Sequence, residues 1–171
     1  MDGLLIHSEP LWDRAELEVF ASLNVDISRR HELPDTLGLR IDQTVTHVAL
    51  QLCQQQGLAI ALASASPLAM LERVLEMFNL RHYFSALASA EALPYSKPHP
   101  QVYLDAAAKL GVDPLNCVAL EDSFNGMIAS KAARMRSIVV PAAEHRHDAR
   151  WALANVQLEN LTQLQAEHLF N

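Results

Sequence analysis

The chain has 171 residues, half of them apolar and 19% charged, with a formal net charge of −7. That composition fits one globular domain with ample material for a core, and the acidic balance argues against a nucleic-acid-binding surface while leaving room for a small anionic ligand held by local donors. No apolar run reaches the length of a membrane span and no signal-peptide pattern opens the chain, so a cytoplasmic protein, a monomer without a membrane partner, is expected. The two cysteines, Cys53 and Cys117, lie in apolar stretches without metal or redox spacing and are expected to be buried, reduced thiols.

Taken in order, Met1-Asp2-Gly3-Leu4-Leu5 reads as the exit of a strand into a tight turn, although no strand precedes it. Ser8-Glu9-Pro10 reads as a helix start, and Trp12, Ala15, Val19, Phe20 and Leu23 continue it at helical spacing. Residues 24–34 are polar and read as a loop or poor helix, and 36–40 as a glycine-centred turn. Residues 41–56 form a helix that Gly57 ends. From there the pattern is regular. Leu58–Ala63 is an apolar run of the kind expected for a strand covered on both faces of a parallel sheet. Ser64-Ala65-Ser66-Pro67 stops it and caps a helix over about 67–78. A strand over 85–90, a loop over 91–100, a helix over 101–110 with Gly111 at its end, and a strand over 117–120 follow. Glu121-Asp122-Ser123 caps a helix over 124–133, and a fourth strand covers 137–140. The tail carries helices near 147–153 and over 162–169. Alternating strands and helices predict an α/β fold with an open parallel sheet and a site at the strand ends.

Reactive groups gather at those ends. Ser64 and Ser66 follow one strand, Glu121 and Asp122 another, and Asp2 stands where a further strand should end. Lys97 lies in Ser96-Lys97-Pro98-His99-Pro100, a loop that two prolines stiffen. Converging carboxylates suit a hard divalent cation, a serine hydroxyl with exposed backbone amides suits a phosphate, and a held lysine adds positive charge. These are parts for phosphoryl transfer. Each also has an ordinary reading: Ser64, Ser66 and Ser123 as helix caps, Lys97 as a solvated lysine, Glu121 and Asp122 as first-turn acids, Asp2 as a terminal residue. Their order along one α/β scaffold favours the chemical reading.

Four stretches, residues 1–9, Leu62-Ala63-Ser64-Ala65-Ser66, Ser96-Lys97-Pro98 and Leu120-Glu121-Asp122-Ser123-Phe124-Asn125-Gly126, resemble the haloacid dehalogenase superfamily of aspartate-nucleophile phosphatases. The likeness runs over nearly the whole chain in the family's order. It is strongest to the branch of sugar-phosphate phosphatases and β-phosphoglucomutase, and in wording to the hexitol and 2-deoxyglucose-6-phosphate phosphatases. The resemblance implies a Rossmann-like parallel sheet with a helical cap, and a Mg²⁺-dependent phosphatase working through an aspartyl phosphate on a small phosphorylated sugar or polyol. Asp2 then matches the general acid–base of the family's Asp-x-Asp, its backbone carbonyl also meeting Mg²⁺. Ser64 with the Ala65 amide, and Ser66 beside them, match the phosphate cradle. Lys97 ties phosphate to nucleophile, and Asp122 with Glu121 matches the metal acids. Arg40 is a candidate cap contact to substrate.

The sequence departs from the family in three places. The nucleophile would fall one position before Met1, and the first, central strand that carries it is missing from this chain. His7 stands where the family has aspartate. Between Arg40 and Gly57 the chain runs almost directly from the first cap helices into the helix before the Ser64 strand. Residues 1–8 and 48–171 are therefore expected to form the core, and 9–47 a reduced helical cap. Unpaired strand edges are expected where the central strand would lie, and two alternatives to an active phosphatase stay open: a non-catalytic phosphate- or partner-binding remnant, and a sugar-phosphate mutase.

Overall fold

The computed structural model describes residues 43–170; Asp2, His7, the first cap helix and Arg40 lie outside them. The described chain is a parallel α/β structure. Helix α1 (Gln43–Gln55) leads to β1 (Ala61–Ser64), α2 (Leu68–Met77) and β2 (Ala86–Ser89). Helix α3 (Gln101–Leu110), β3 (Val118–Glu121), α4 (Phe124–Ala132) and β4 (Arg136–Val139) follow. The short β5 (Val156–Gln157) and α5 (Ala166–Phe170) close the chain.

Helix ends share one device. After α1, the Gly57 N–H donates to Gln54 O and Leu58 N–H to Cys53 O, with Gly57 at φ +70°. The same pair of bonds closes α3 at Gly111. These are Schellman closures, in which a left-handed residue lets the chain turn back on its own carbonyls. Asn79 after α2 and Arg134 after α4 adopt the same positive φ without being glycine. The glycine-ended pair was legible in the sequence; the other two lacked that signal.

The sheet is built in two pieces among the described residues. β1 pairs with β2 in parallel register, Ala61 opposite Ala86 through Ser64 opposite Ser89. β3 pairs with β4 from Val118 opposite Arg136 to Glu121 opposite Val139, and β4 pairs with β5. No ladder joins β1 to β3. Instead a cavity of about 530 Å³ runs between them, lined by residues 57–63 along one strand and 116–122 along the other. Side chains of a strand alternate between faces. A cavity touching consecutive residues of both strands therefore follows their edges, not one face of a sheet. Among the described residues no strand lies between the two edges of this seam.

Two cores flank the pieces and a third joins them. Leu50, Leu62, Leu71, Leu75, Leu80, Tyr83, Phe84 and Leu87 form one cluster on the β1–β2 unit. Ile138, Val140, Leu158, Leu161, Leu164 and Leu169 form another on the β3–β4 unit, together with Ala49 of α1. Between them lies a cluster rich in alanine, with Ala88, Ala106, Ala107, Ala119, Ala129 and Ala133 around Val102 and Tyr103. Small side chains let α3 and α4 approach the strands of both units closely.

Several expectations need correction. The apolar run from Leu58 becomes a strand only at Ala61, because its partner begins at Ala86; residues 58–60 lie along the seam. Ser64 and Ser66 do not cap α2. Pro67 occupies the cap without a side-chain bond, and the Leu68 N–H donates instead to Glu91 Oε2 at 3.2 Å. The cysteines are free but only half-buried, since both line the seam. The stretch expected as one helix over 162–169 is a 3-10 turn, Leu161–Gln163, followed by α5. The extended Leu164 between them turns the chain so that Leu161, Leu164 and Leu169 all reach the core. Residues 149–153 are likewise a 3-10 turn.

Candidate active site at the strand ends

β1 and β3 end at the same side of the molecule because parallel strands place all their carboxyl ends on one edge. At the end of β1, Ser64 is 5% exposed and its Oγ accepts from the Ser66 N–H at 3.1 Å. That bond leaves the hydroxyl's own proton to give. The Ser66 carbonyl accepts from Ser89 Oγ at 2.7 Å, and Ser89 Oγ accepts from the Glu91 N–H at 3.1 Å. The loop after β1 is thus tied to the loop after β2. Ala65 is exposed, and among the described residues no acceptor takes its N–H. A hydroxyl and an unused amide side by side are suitable donors for an anion.

At the end of β3, Glu121 is 5% exposed and fully engaged. Its Oε1 accepts from Lys97 Nζ and from the Tyr103 hydroxyl. Its Oε2 accepts from Ser123 Oγ at 3.0 Å and the Ser123 N–H at 3.4 Å. Burial opposes ionisation of this carboxyl, but the Lys97 charge and the bonds from Lys97 and Tyr103 outweigh it and hold it below the usual range. Ser123 also caps α4, accepting from the Gly126 N–H at 3.0 Å, as the sequence predicts. A Cβ at position 126 would overlap the Glu121 carboxylate, so glycine there gives the acid its room.

Lys97 is drawn to this place from its loop. Its Nζ donates to Ala63 O at 3.3 Å, to Tyr103 Oη at 3.2 Å and to Glu121. The side chain is 14% exposed, so the solvated reading of this lysine fails. Tyr103, which sequence reasoning missed, comes from the first turn of α3, where its ring lies 4.9 Å from the ammonium. Burial, followed by the negative charge of Glu121, pushes its phenol well above the usual value. The signal that could have found it is its position six residues after Lys97, just inside the helix that Pro100 starts.

Asp122 lines the seam beside Glu121. Burial and then the Glu121 charge raise its carboxyl above the usual value. Two adjacent carboxylates, one of them already matched to Lys97, form an all-oxygen donor set of the kind a hard divalent cation takes together with water or phosphate oxygens. The set fits Mg²⁺ in chemistry, with Asp122 the acid disposed to hold it. Among the described residues no larger group of His, Cys, Asp and Glu gathers as a metal cluster. Ser64, Ala65, Lys97, Glu121 and Asp122 are thus brought to one edge. Ser66 serves the loop through its backbone, and Asp2 and Arg40 lie outside the described residues.

A parallel α/β unit with these groups at its strand ends defines a class. Residues 40–134 match the family model of haloacid dehalogenase-like hydrolases, and the chain belongs to that family. It is 61% identical to hexitol phosphatase B of Escherichia coli (strain K12), over 207 aligned residues that cover 99% of this chain and 93% of the relative. Among solved structures it is similar to CbbY from Rhodobacter sphaeroides in complex with phosphate, with a TM-score of 0.76 and 26% identity over 96% of this chain and 93% of that one. β-Phosphoglucomutase from Clostridium difficile is similar over 72% of this chain and 52% of its own, with a TM-score of 0.63 and 30% identity. The class of enzyme is phosphoric monoester hydrolase. No helix among the described residues is long and apolar enough to cross a membrane.

Proposed function

We propose that the protein is a Mg²⁺-dependent phosphatase of small phosphorylated sugars and polyols, of the hexitol phosphate type. The observation that carries this reading is the Lys97 ammonium, held by Ala63 O at the end of β1 and by Glu121 at the end of β3. It stands between the donors that suit a phosphate and the acids that suit a cation. The 61% identity to a hexitol phosphatase supports the substrate class.

In this reading the Ser64 hydroxyl and the Ala65 N–H grip the phosphate oxygens while Lys97 neutralises the charge between phosphate and nucleophile. Asp122 holds Mg²⁺, with Glu121 fixing Lys97 beside it. Bound there, the cation would offset the charge that builds on the phosphoryl oxygens. Asp2 protonates the leaving alcohol and then takes a proton from the attacking water. An aspartate one position before Met1 is the nucleophile the reaction needs, and splitting the displacement into two through an aspartyl phosphate eases each step.

We further assign residues 1–8 and 48–171 to the core and 9–47 to a shortened cap. Supporting this, the alignment to the hexitol phosphatase spans 207 positions against 171 residues here, so it bridges positions this chain does not have. A smaller cap would exclude less water and read the sugar less closely, weakening substrate choice before phosphate binding.

The test is turnover of hexitol phosphates and p-nitrophenyl phosphate by the protein extended upstream with an apolar strand ending in Phe-Asp. Release of phosphate with Mg²⁺ and its loss with a chelator are expected. A folded, extended protein without turnover overturns the reading. A second reading, phosphate binding without hydrolysis, is favoured by the cavity between β1 and β3. Saturable phosphate binding with no release from either form of the protein would select it, and accumulation of an isomer would instead select a mutase.

A further inference from the structure

Tyr103 is built into the site, yet the proposed reaction gives it no task. The residue is 6% exposed, and its hydroxyl donates its proton to Glu121 Oε1 and accepts from Lys97 Nζ at 3.2 Å. An ammonium has three N–H donors, and here all three have acceptors: Ala63 O, Tyr103 Oη and Glu121 Oε1. Three acceptors hold the charge more closely than two would. The Tyr103 ring adds a fourth restraint, lying 4.9 Å from the ammonium at its centroid. Glu121 is fixed in turn, with Lys97 and Tyr103 on one oxygen and Ser123 on the other.

We propose that Tyr103 is the positioning residue of this site: its hydroxyl holds Lys97 and Glu121 in register, and so aims the Lys97 charge at the phosphate while touching no substrate itself. The proposal rests on the phosphatase reading of the site. Loss of the hydroxyl alone leaves Glu121 Oε1 with Lys97 as its sole donor and frees the ammonium to swing about its two remaining bonds. The ring itself also packs with Val102, Ala106 and Ala107 in the central cluster, so a purely structural role would be served as well by phenylalanine.

That difference sets the experiment. In the extended, active protein, Y103F is expected to lower kcat on a hexitol phosphate about tenfold with little change in KM, because an unaimed charge costs alignment more than affinity. K97M is expected to lower kcat further, and adding Y103F to K97M to change nothing more, since coupled residues are not additive. Unchanged kcat in Y103F, or the same proportional loss with and without Lys97, overturns the proposal. If the extended wild-type protein shows no turnover, the phosphatase reading falls separately. A crystal structure of Y103F then tests Tyr103: a Lys97 ammonium displaced from Ala63 O and Glu121 supports it, and an unmoved ammonium overturns it.

Discussion

The two halves of the sheet have the same build and opposite chemistry. In the β1–β2 unit both strands end in serine, and the loops beyond them are tied together by neutral hydrogen bonds from Ser64 through Ser66 and Ser89 to Glu91. In the β3–β4 unit, β3 ends in two acids, one buried and one lining the seam. One half presents donors to an anion and the other presents acceptors to a cation. A reacting phosphate with its metal needs both, and neither half has them alone. Lys97 belongs to the connection between them and bonds to each. On the proposed reading the site therefore draws on both halves, with Lys97 joining them across the seam.

Breaking the seam should have the largest effect. Glu121→Ala leaves the Lys97 charge and the Tyr103 hydroxyl without their main partner at side-chain positions 14% exposed or less, which is expected to cost about 3–5 kcal/mol in urea-unfolding experiments. A loss below 1 kcal/mol would show that the two halves are not held together here. Within one half the cost should be that of an ordinary core. Leu71, fully buried under the β1–β2 unit, should lose about 3 kcal/mol on truncation to alanine. Because it lies away from the seam, its loss should add to that of Glu121→Ala rather than merge with it.

Gly126→Ala should destabilise by about 1–3 kcal/mol through overlap with the Glu121 carboxylate. The same substitution in a Glu121→Ala background should be close to neutral, which separates the close approach from any general dislike of alanine in α4. Arg134, exposed and left-handed after α4, should gain about 1 kcal/mol on replacement by glycine, since the strain of a side chain at φ +67° disappears. A thermal melt of Arg134→Gly that shows no rise would contradict this account of the closure.

The smallest effect belongs to the exposed pair Asp148–Arg150, bonded at 2.6 Å. The hydrogen bonds and charge of Arg150 lower the Asp148 carboxyl to about 2. A lowered carboxylate contributes stability above its unfolded value, and that contribution fades as pH falls towards 2. Solvent screens so exposed a pair, so Asp148→Asn should leave the melting temperature at pH 7 unchanged and only slightly flatten the acid limb of its pH profile. A marked fall at neutral pH would show that this turn matters to the second half more than its exposure implies.

Much of this is legible in the amino-acid sequence. The apolar run after Gly57, the glycines at 57 and 111, and serine at 123 three residues before Gly126 are local signals, and their elements formed within a residue or three of expectation. The same residues pointed to the phosphate-binding and acidic ends, because strand exits in a parallel sheet must converge.

What the sequence by itself determined, then, was the alternation of strands and helices, the edge on which the polar residues meet, and the class of chemistry they suit. Tertiary structure alone decided which partners those residues take. Lys97 was a loop lysine until the fold put Ala63, Tyr103 and Glu121 around it. Glu91 capped α2 in place of the nearer serines because β2 delivered it there. The reason is physical: periodicity and capping act over a few residues along the chain, whereas a buried charge is settled by neighbours that only packing brings within hydrogen-bond reach.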